Sequence, residues 1–164
     1  MTNIRLCKMT KELCRAYHQD FAFDPDIFMD MTHFSTYHYS QQHADAHWQR
    51  QHDLRREHLA ILLNDTVIGE IVLKNIDQEK KCCTLGIHLV NDSVKNKGFG
   101  TRAEILALQY AFNQLEMNTV FADAILKNTR SQHVLTKVGF EETHADDSFR
   151  YYRCDKASWY PPEP

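Results

Sequence analysis

The run Lys95-Asn-Lys-Gly98-Phe-Gly100-Thr-Arg102 has the make-up to hold an anion. Its two glycines let the backbone approach a ligand closely. The helix predicted from Gly98 onward would point its first amides, with their partial positive charge, at the loop. Lys95, Lys97 and Arg102 add attraction for phosphates. A Walker A loop would need Gly-Lys-Ser/Thr after four intervening residues, and the dinucleotide fingerprint a third glycine, so the run is neither. Alone, it also reads as a simple helix-entry turn. Upstream, His88 lies on the strand leading into this loop, and an imidazole titrates near neutrality; a hydrogen-bonded sheet histidine is the bland alternative. Glu70 stands in the apolar run Val67–Leu73 beside Gly69 and would face a cleft or a sheet edge. Asp123 interrupts the apolar run Val120–Ile125. No spacing argument separates these three as proton acceptors. His43 and His47 share a helix face at i,i+4, as two metal ligands can. The residues between them are Ala-Asp-Ala, however, and no third ligand is fixed, so a polar helix face and no metal are expected.

The elements that would position these groups follow from periodicity and punctuation. Ile4–Cys7 reads as a strand, and Thr10 as the cap of a helix near Thr10–Tyr17. Phe21–Tyr39 is irregular and broken by Asp and Pro, and Ser40–Arg56 reads as a mostly polar helix. His58–Leu63, Val67–Lys74 and Lys81–Val90 alternate as strands across turns at Asn64–Asp65 and Asp77–Glu79, which predicts an antiparallel meander. Gly98–Leu115 is the loop running into an apolar helix with Ala103, Leu106, Ala107 and Tyr110 at helical spacing. Thr119–Ile125 is a strand, and Asn128 caps a helix that stops at Gly139. Phe140–Thr143 and Phe149–Cys154 close as a hairpin. The expected fold is a mixed α/β sheet with helices on its faces.

With 164 residues, 43% of them apolar, the chain can bury the core of one domain, expected over 1–160, with 161–164 as a frayed tail. The longest apolar run, Leu59–Leu63, is too short to span a membrane, and the N-terminus lacks a signal-peptide pattern. A net charge of −3 argues against a general nucleic-acid binder. The five cysteines are odd in number and lack C-x-x-C spacing, which fits reduced thiols and a cytoplasmic setting. From Ala16 to Gln49 there are five acids and no Lys or Arg, interleaved with aromatics. That half would suit a cationic substrate, or would simply be a solvated helix above an aromatic core.

A second segment, Asn128-Thr-Arg-Ser131 through Gly139-Phe140, stands between a strand and the closing hairpin. Together with the glycine loop it resembles the GNAT superfamily of acetyl-CoA-dependent N-acetyltransferases, most closely the branch of the ribosomal-protein N-terminal and spermidine acetyltransferases. The resemblance implies a sheet splayed between its fourth and fifth strands. Backbone groups at Leu89 and Val90 would meet the pantetheine arm. Lys95, Asn96, Lys97, Gly98, Phe99, Gly100 and Thr101 would wrap the pyrophosphate, and Asn128 and Ser131 would bond the pantetheine or thioester end. Lys95 replaces the usual Gln or Arg, keeping a donor but not its fork geometry. Leu135 stands where many relatives carry the tyrosine that protonates the leaving thiolate. Ser131 is therefore the substitute candidate, with Tyr151 or Tyr152 behind it.

The implied activity moves an acetyl group from acetyl-CoA directly to a primary amine, of a protein N-terminus or of a small amine or polyamine. Such an amine has a pKa near 10 and must lose a proton, so His88, Glu70 or Asp123 would serve as base, often through water. The oxyanion would be met by the amide of Leu89 or Val90. The alternative is an acyl-CoA-binding module or degenerate relative without catalysis. The expected assembly is a monomer or a homodimer, with the edge of the closing hairpin as an interface.

Overall fold

Turn and cap residues set the frame on which the site is built. The computed structural model describes residues 3–163; Met1 and Thr2 of the expected domain and Pro164 of the expected tail lie outside them. Strand β1 (Ile4–Lys8) leads to helix α1 (Lys11–Asp20), where Thr10 Oγ1 accepts from the Leu13 amide at 3.1 Å. After the irregular segment, Ser40 Oγ accepts from the His43 amide to start α2 (Gln41–Asp53). That helix ends three residues before the expected Arg56, because Arg55 adopts a left-handed φ of 52°. Three strands follow: β2 (Glu57–Leu63), β3 (Thr66–Asp77) and β4 (Cys82–Leu89). Their connecting turns use positive φ at Asn64 and Lys81, which is why β4 begins one residue after the expected Lys81.

Helix α3 (Phe99–Asn113) starts from Gly98, and strand β5 (Thr119–Ile125) follows it. Helix α4 (Thr129–Val138) is capped by Asn128 Oδ1 accepting from the Ser131 amide at 3.1 Å. It stops at Gly139, whose φ of +113° and the Trp159 indole 2.8 Å from where a Cβ would stand both require glycine. Strands β6 (Glu141–Ala145) and β7 (Phe149–Asp155) form the hairpin.

One seven-stranded sheet results, in the order β1-β2-β3-β4-β5-β7-β6. All neighbours run antiparallel except β4 and β5, which are parallel because α3 crosses over between them. Alternation sorts each strand's residues between the two faces. Leu59, Ile61, Ile71 and Leu73 pack with Leu108, Ala111 and Phe112 of α3. Ala60, Leu62, Val67 and Val90 instead pack with Cys14 and Tyr17 of α1. Helices therefore cover both faces, as expected. Strand β6 is an exposed sheet edge. Among the described residues no helix is long and apolar enough to cross a membrane, and all five cysteines are free thiols.

Candidate active site

The parallel pair is incomplete, and its incompleteness makes the cleft. Strand β4 pairs with β5 only over Cys82–Leu85 against Thr119–Ala122. Beyond that, β4 stays on β3 through Leu89 while Asp123–Ile125 of β5 follow β7, so the two strands part. The opening leads into a cleft of about 1290 Å³ walled by the end of β4, the glycine loop, the N-terminal part of α4 and the segment Phe21–Asp30.

At the β4 wall, the Val90 amide donates to Ile68 O at 2.9 Å, and Val90 O accepts from the Ala22 amide. Alternation then turns the amides of Leu89 and Ile87 toward the opposite, unpaired edge. Of the two expected oxyanion donors, Val90 is already engaged and buried in the α1 core, which leaves Leu89. The glycine loop is open. A Cβ on Gly98 would meet nothing within 4 Å, and one on Gly100 only Leu89 Cδ1 at 3.7 Å. Gly98 has φ +80°, so glycine is favoured there by backbone conformation and not by crowding.

Leu89, Lys95, Asn96, Gly98, Gly100, Thr101, Asn128 and Ser131 all line this cleft, as does His88. Lys97 and Phe99 do not; Phe99 packs against the core instead. The Lys95 ammonium is held by Asp24 at 2.9 Å and Asp92 at 3.2 Å, so it reaches the loop with its charge largely balanced. Arg130 lies 3.7 Å from the same Asp24. Burial pushes the Asp24 pKa up, but the bonds from Lys95 and the Asp26 amide and the charges of Lys95 and Arg130 together outweigh it, and the net shift is downward. Asp45 is likewise taken by Arg15. Two of the five acids of the 16–49 segment are thus spent on the fold. The aromatics do shape the cleft: Phe21, Phe23 and Phe28 pack edge to face, with centroids 5.4 and 5.2 Å apart in succession.

The candidate bases separate clearly in space. Glu70 and His88 are cross-strand partners, and Ala60 opposite Glu70 puts His58, two residues along β2, on the same face. Helix α2 brings His47 down onto them. Glu70 is 4% exposed. Its Oε2 accepts from His47 Nε2 at 3.0 Å and from His58 Nε2 at 2.7 Å. Burial favours the neutral acid, yet these two bonds overcome it and hold Glu70 well below the usual carboxylate range. His88 Nδ1 stands 4.0 Å from Glu70 Oε1, with 63% of its side-chain surface open to the cleft. The surrounding walls lower the His88 pKa by desolvation, against the pull of Glu70. His18 of α1 extends the cluster, its ring 5.0 Å from that of His47.

Asp123 is exposed on β5 opposite Tyr151 and does not line the cleft. Tyr151 donates to Asp146 at 2.6 Å, and Tyr152 is 3% exposed in the core. Neither tyrosine lines the cleft, and Leu135 is core. His133 lies at the cleft mouth on the exposed side of α4.

His47, His58 and Glu70 present donor atoms within 4.8 Å of one another, a set that a divalent cation uses. Two features favour hydrogen bonding instead. Both imidazoles address one carboxylate oxygen at hydrogen-bond distance, and His58 Nδ1 is buried without an acceptor to hold its proton if Nε2 were a ligand. Sequence reasoning missed His47 and His58 as partners of Glu70. It also missed Glu104, a buried acid at the cleft, although its charge inside the apolar run Ala103–Leu108 was a readable signal.

A parallel pair that parts beside a glycine loop at a helix start makes a cleft able to take an elongated ligand with an anionic end. Residues 3–141 match the family model "Acetyltransferase (GNAT) domain", and the chain belongs to that family. It is 31% identical over 123 residues, 68% of this chain and 67% of the other, to the Bacillus subtilis (strain 168) protein named "Putative ribosomal N-acetyltransferase YdaF". The fold is shared with a GNAT-family acetyltransferase from Bacillus anthracis, with a TM-score of 0.75 at 17% identity over 96% of this chain and 100% of that one. It is shared also with the dodecameric spermidine N-acetyltransferase from Vibrio cholerae, with a TM-score of 0.72 at 15% identity over 94% of each.

Proposed function

We propose that this chain transfers the acetyl group of acetyl-CoA directly to a primary amine, that of a protein N-terminus or of a small amine or polyamine. The observation that carries the proposal is the unpaired edge of β4, which ends at an open glycine loop and has the exposed imidazole of His88 on the adjoining sheet face. The edge suits the amide-bearing pantetheine arm, and the amides at the start of α3 suit a pyrophosphate. Thr101 and Asn96 stand beside them, with Asn128 and Ser131 on the opposite wall.

Acetyl-CoA supplies an already activated thioester, so positioning provides much of the rate. His88 takes the proton of the incoming ammonium, directly or through water. Glu70 keeps the electrostatic field at His88 negative, held in place by His47 and His58. The Leu89 amide steadies the oxyanion. Ser131, half-buried on α4, remains the candidate donor to the departing thiolate. Within this reading, residues 1–160 act as one catalytic domain, monomeric or dimeric, and the free thiols support a cytoplasmic setting.

The test mixes the protein with acetyl-CoA and a panel of peptides, polyamines and small amines, and follows free thiol together with the mass of each acceptor. Thiol release matched by one acetyl group on an acceptor is the expected result. Cofactor binding without turnover on any amine would favour a binding module, and failure to bind would overturn both.

A further inference from the structure

One acid at the cleft has no task in this scheme. Glu104 sits in α3 among Ala103, Ile105, Ala107 and Leu108, and is 2% exposed. Its Oε2 is buried without any hydrogen-bond partner. Nevertheless the residue lines the cleft, together with Leu89, Thr101 and Val134. Burying an unpartnered carboxyl is costly, so a partner absent from the protein itself is the simplest account of its position.

Location narrows what that partner is. Glu104 is six residues past the Gly98 cap, about 9 Å deeper along α3 than the loop. It therefore lies below the phosphate cradle. It also belongs to α3, across the sheet from the His88–Glu70 cluster of the amine side. On the acetyl-CoA reading, the arm linking pyrophosphate to thioester would pass at that depth, beside Leu89 and Thr101. We propose that Glu104 is a binding residue for the pantetheine arm, hydrogen-bonding one of its amide groups from the α3 wall. This rests on the acetyl-CoA reading above. Burial pushes the Glu104 pKa up to about 8, with no charged neighbour contributing. The neutral acid that results offers one O–H donor and one carbonyl acceptor, the complement of an amide's C=O and N–H.

The experiment is calorimetric titration of the full chain at pH 7 with CoA and, separately, with adenosine 3′,5′-bisphosphate, which carries phosphates but no pantetheine. Glu104→Leu keeps the bulk and removes both hydrogen-bonding functions; Glu104→Gln keeps a donor and an acceptor. Glu104→Leu is expected to weaken CoA about tenfold and leave the bisphosphate unchanged, while Glu104→Gln stays within about threefold of wild type for both. Thermal unfolding of Glu104→Leu should show a fold at least as stable as wild type, since an unpartnered buried polar group has gone. Wild-type affinity for CoA in Glu104→Leu, or equal weakening of both ligands, would overturn the assignment. If the wild-type protein binds neither ligand, the acetyl-CoA reading fails first and the role of Glu104 falls with it.

Discussion

At the scale of single residues, the account rests on His88 and on what holds Glu70 charged behind it. His88→Gln should lower kcat/KM by roughly 10²- to 10³-fold, within the range for loss of a general base, with acetyl-CoA affinity unchanged. Because desolvation lowers the His88 pKa, the wild-type rate should fall on the acid side with a midpoint below the ordinary imidazole value of about 6.5, and His88→Gln should lose that limb. For Glu70 the sign is also definite. Its pKa is depressed in the fold, so its stabilising effect is complete above the ordinary carboxylate value of about 4.3 and is lost as pH falls below it. Glu70→Gln should cost about 1–3 kcal/mol at pH 7 by urea unfolding, and the variant should lose less stability than wild type between pH 5 and 3. His88 and Glu70 were legible as titratable groups on strands; their pairing was not. It depends on register across β2, β3 and β4, and on an α2 histidine reaching down from above, which spacing along one element cannot reveal. The same reason put Asp123 on an equal footing until β5 was seen to turn it away from the cleft.

Elements carry the geometry, and their glycines fail in different ways. A Cβ on Gly69 would lie 2.5 Å from the His88 carbonyl oxygen, which is backbone and cannot swing aside. Gly69→Ala should therefore part β3 from β4, cost more than about 2 kcal/mol and disturb the base, as urea unfolding and kcat together would report. Gly98→Ala meets no atom but strains a φ of +80°, so a loss of about 1 kcal/mol is expected. Gly100→Val touches little of the protein, and should keep the fold while blocking acetyl-CoA in a direct binding assay. Strand β5 and helix α4 were readable to the residue because Asn128 and Gly139 punctuate them in the side-chain and φ terms that caps require. Most other boundaries shifted by one to three residues; two of the shifts lie at Arg55 and Lys81, where non-glycine residues take positive φ and the sequence gives no warning. The expected use of the acidic 16–49 segment also changed at this scale, since Asp24 and Asp45 brace Lys95 and Arg15.

For the whole molecule, the mixed sheet with helices on both faces followed from the alternation of apolar residues, the short turns and the one helical crossover. The splay between β4 and β5 did not follow from periodicity; it came with the resemblance carried by Lys95–Thr101 and Asn128–Phe140. Physically it arises because β4 stays on β3 to Leu89 while β5 follows β7 from Asp123. A molecule organised around that opening should be stabilised by filling it: acetyl-CoA at 100 times its Kd should add about 2.7 kcal/mol and raise Tm by several degrees. The most direct test of the central claim is a crystal structure of the complex with CoA. The account predicts the pantetheine lying along Gly86–Leu89 between the parted strands, the pyrophosphate at Gly98–Gly100, and the sulfur on the side of the opening that faces His88. CoA bound elsewhere on the surface, or a sulfur remote from His88 with another base beside it, would contradict it.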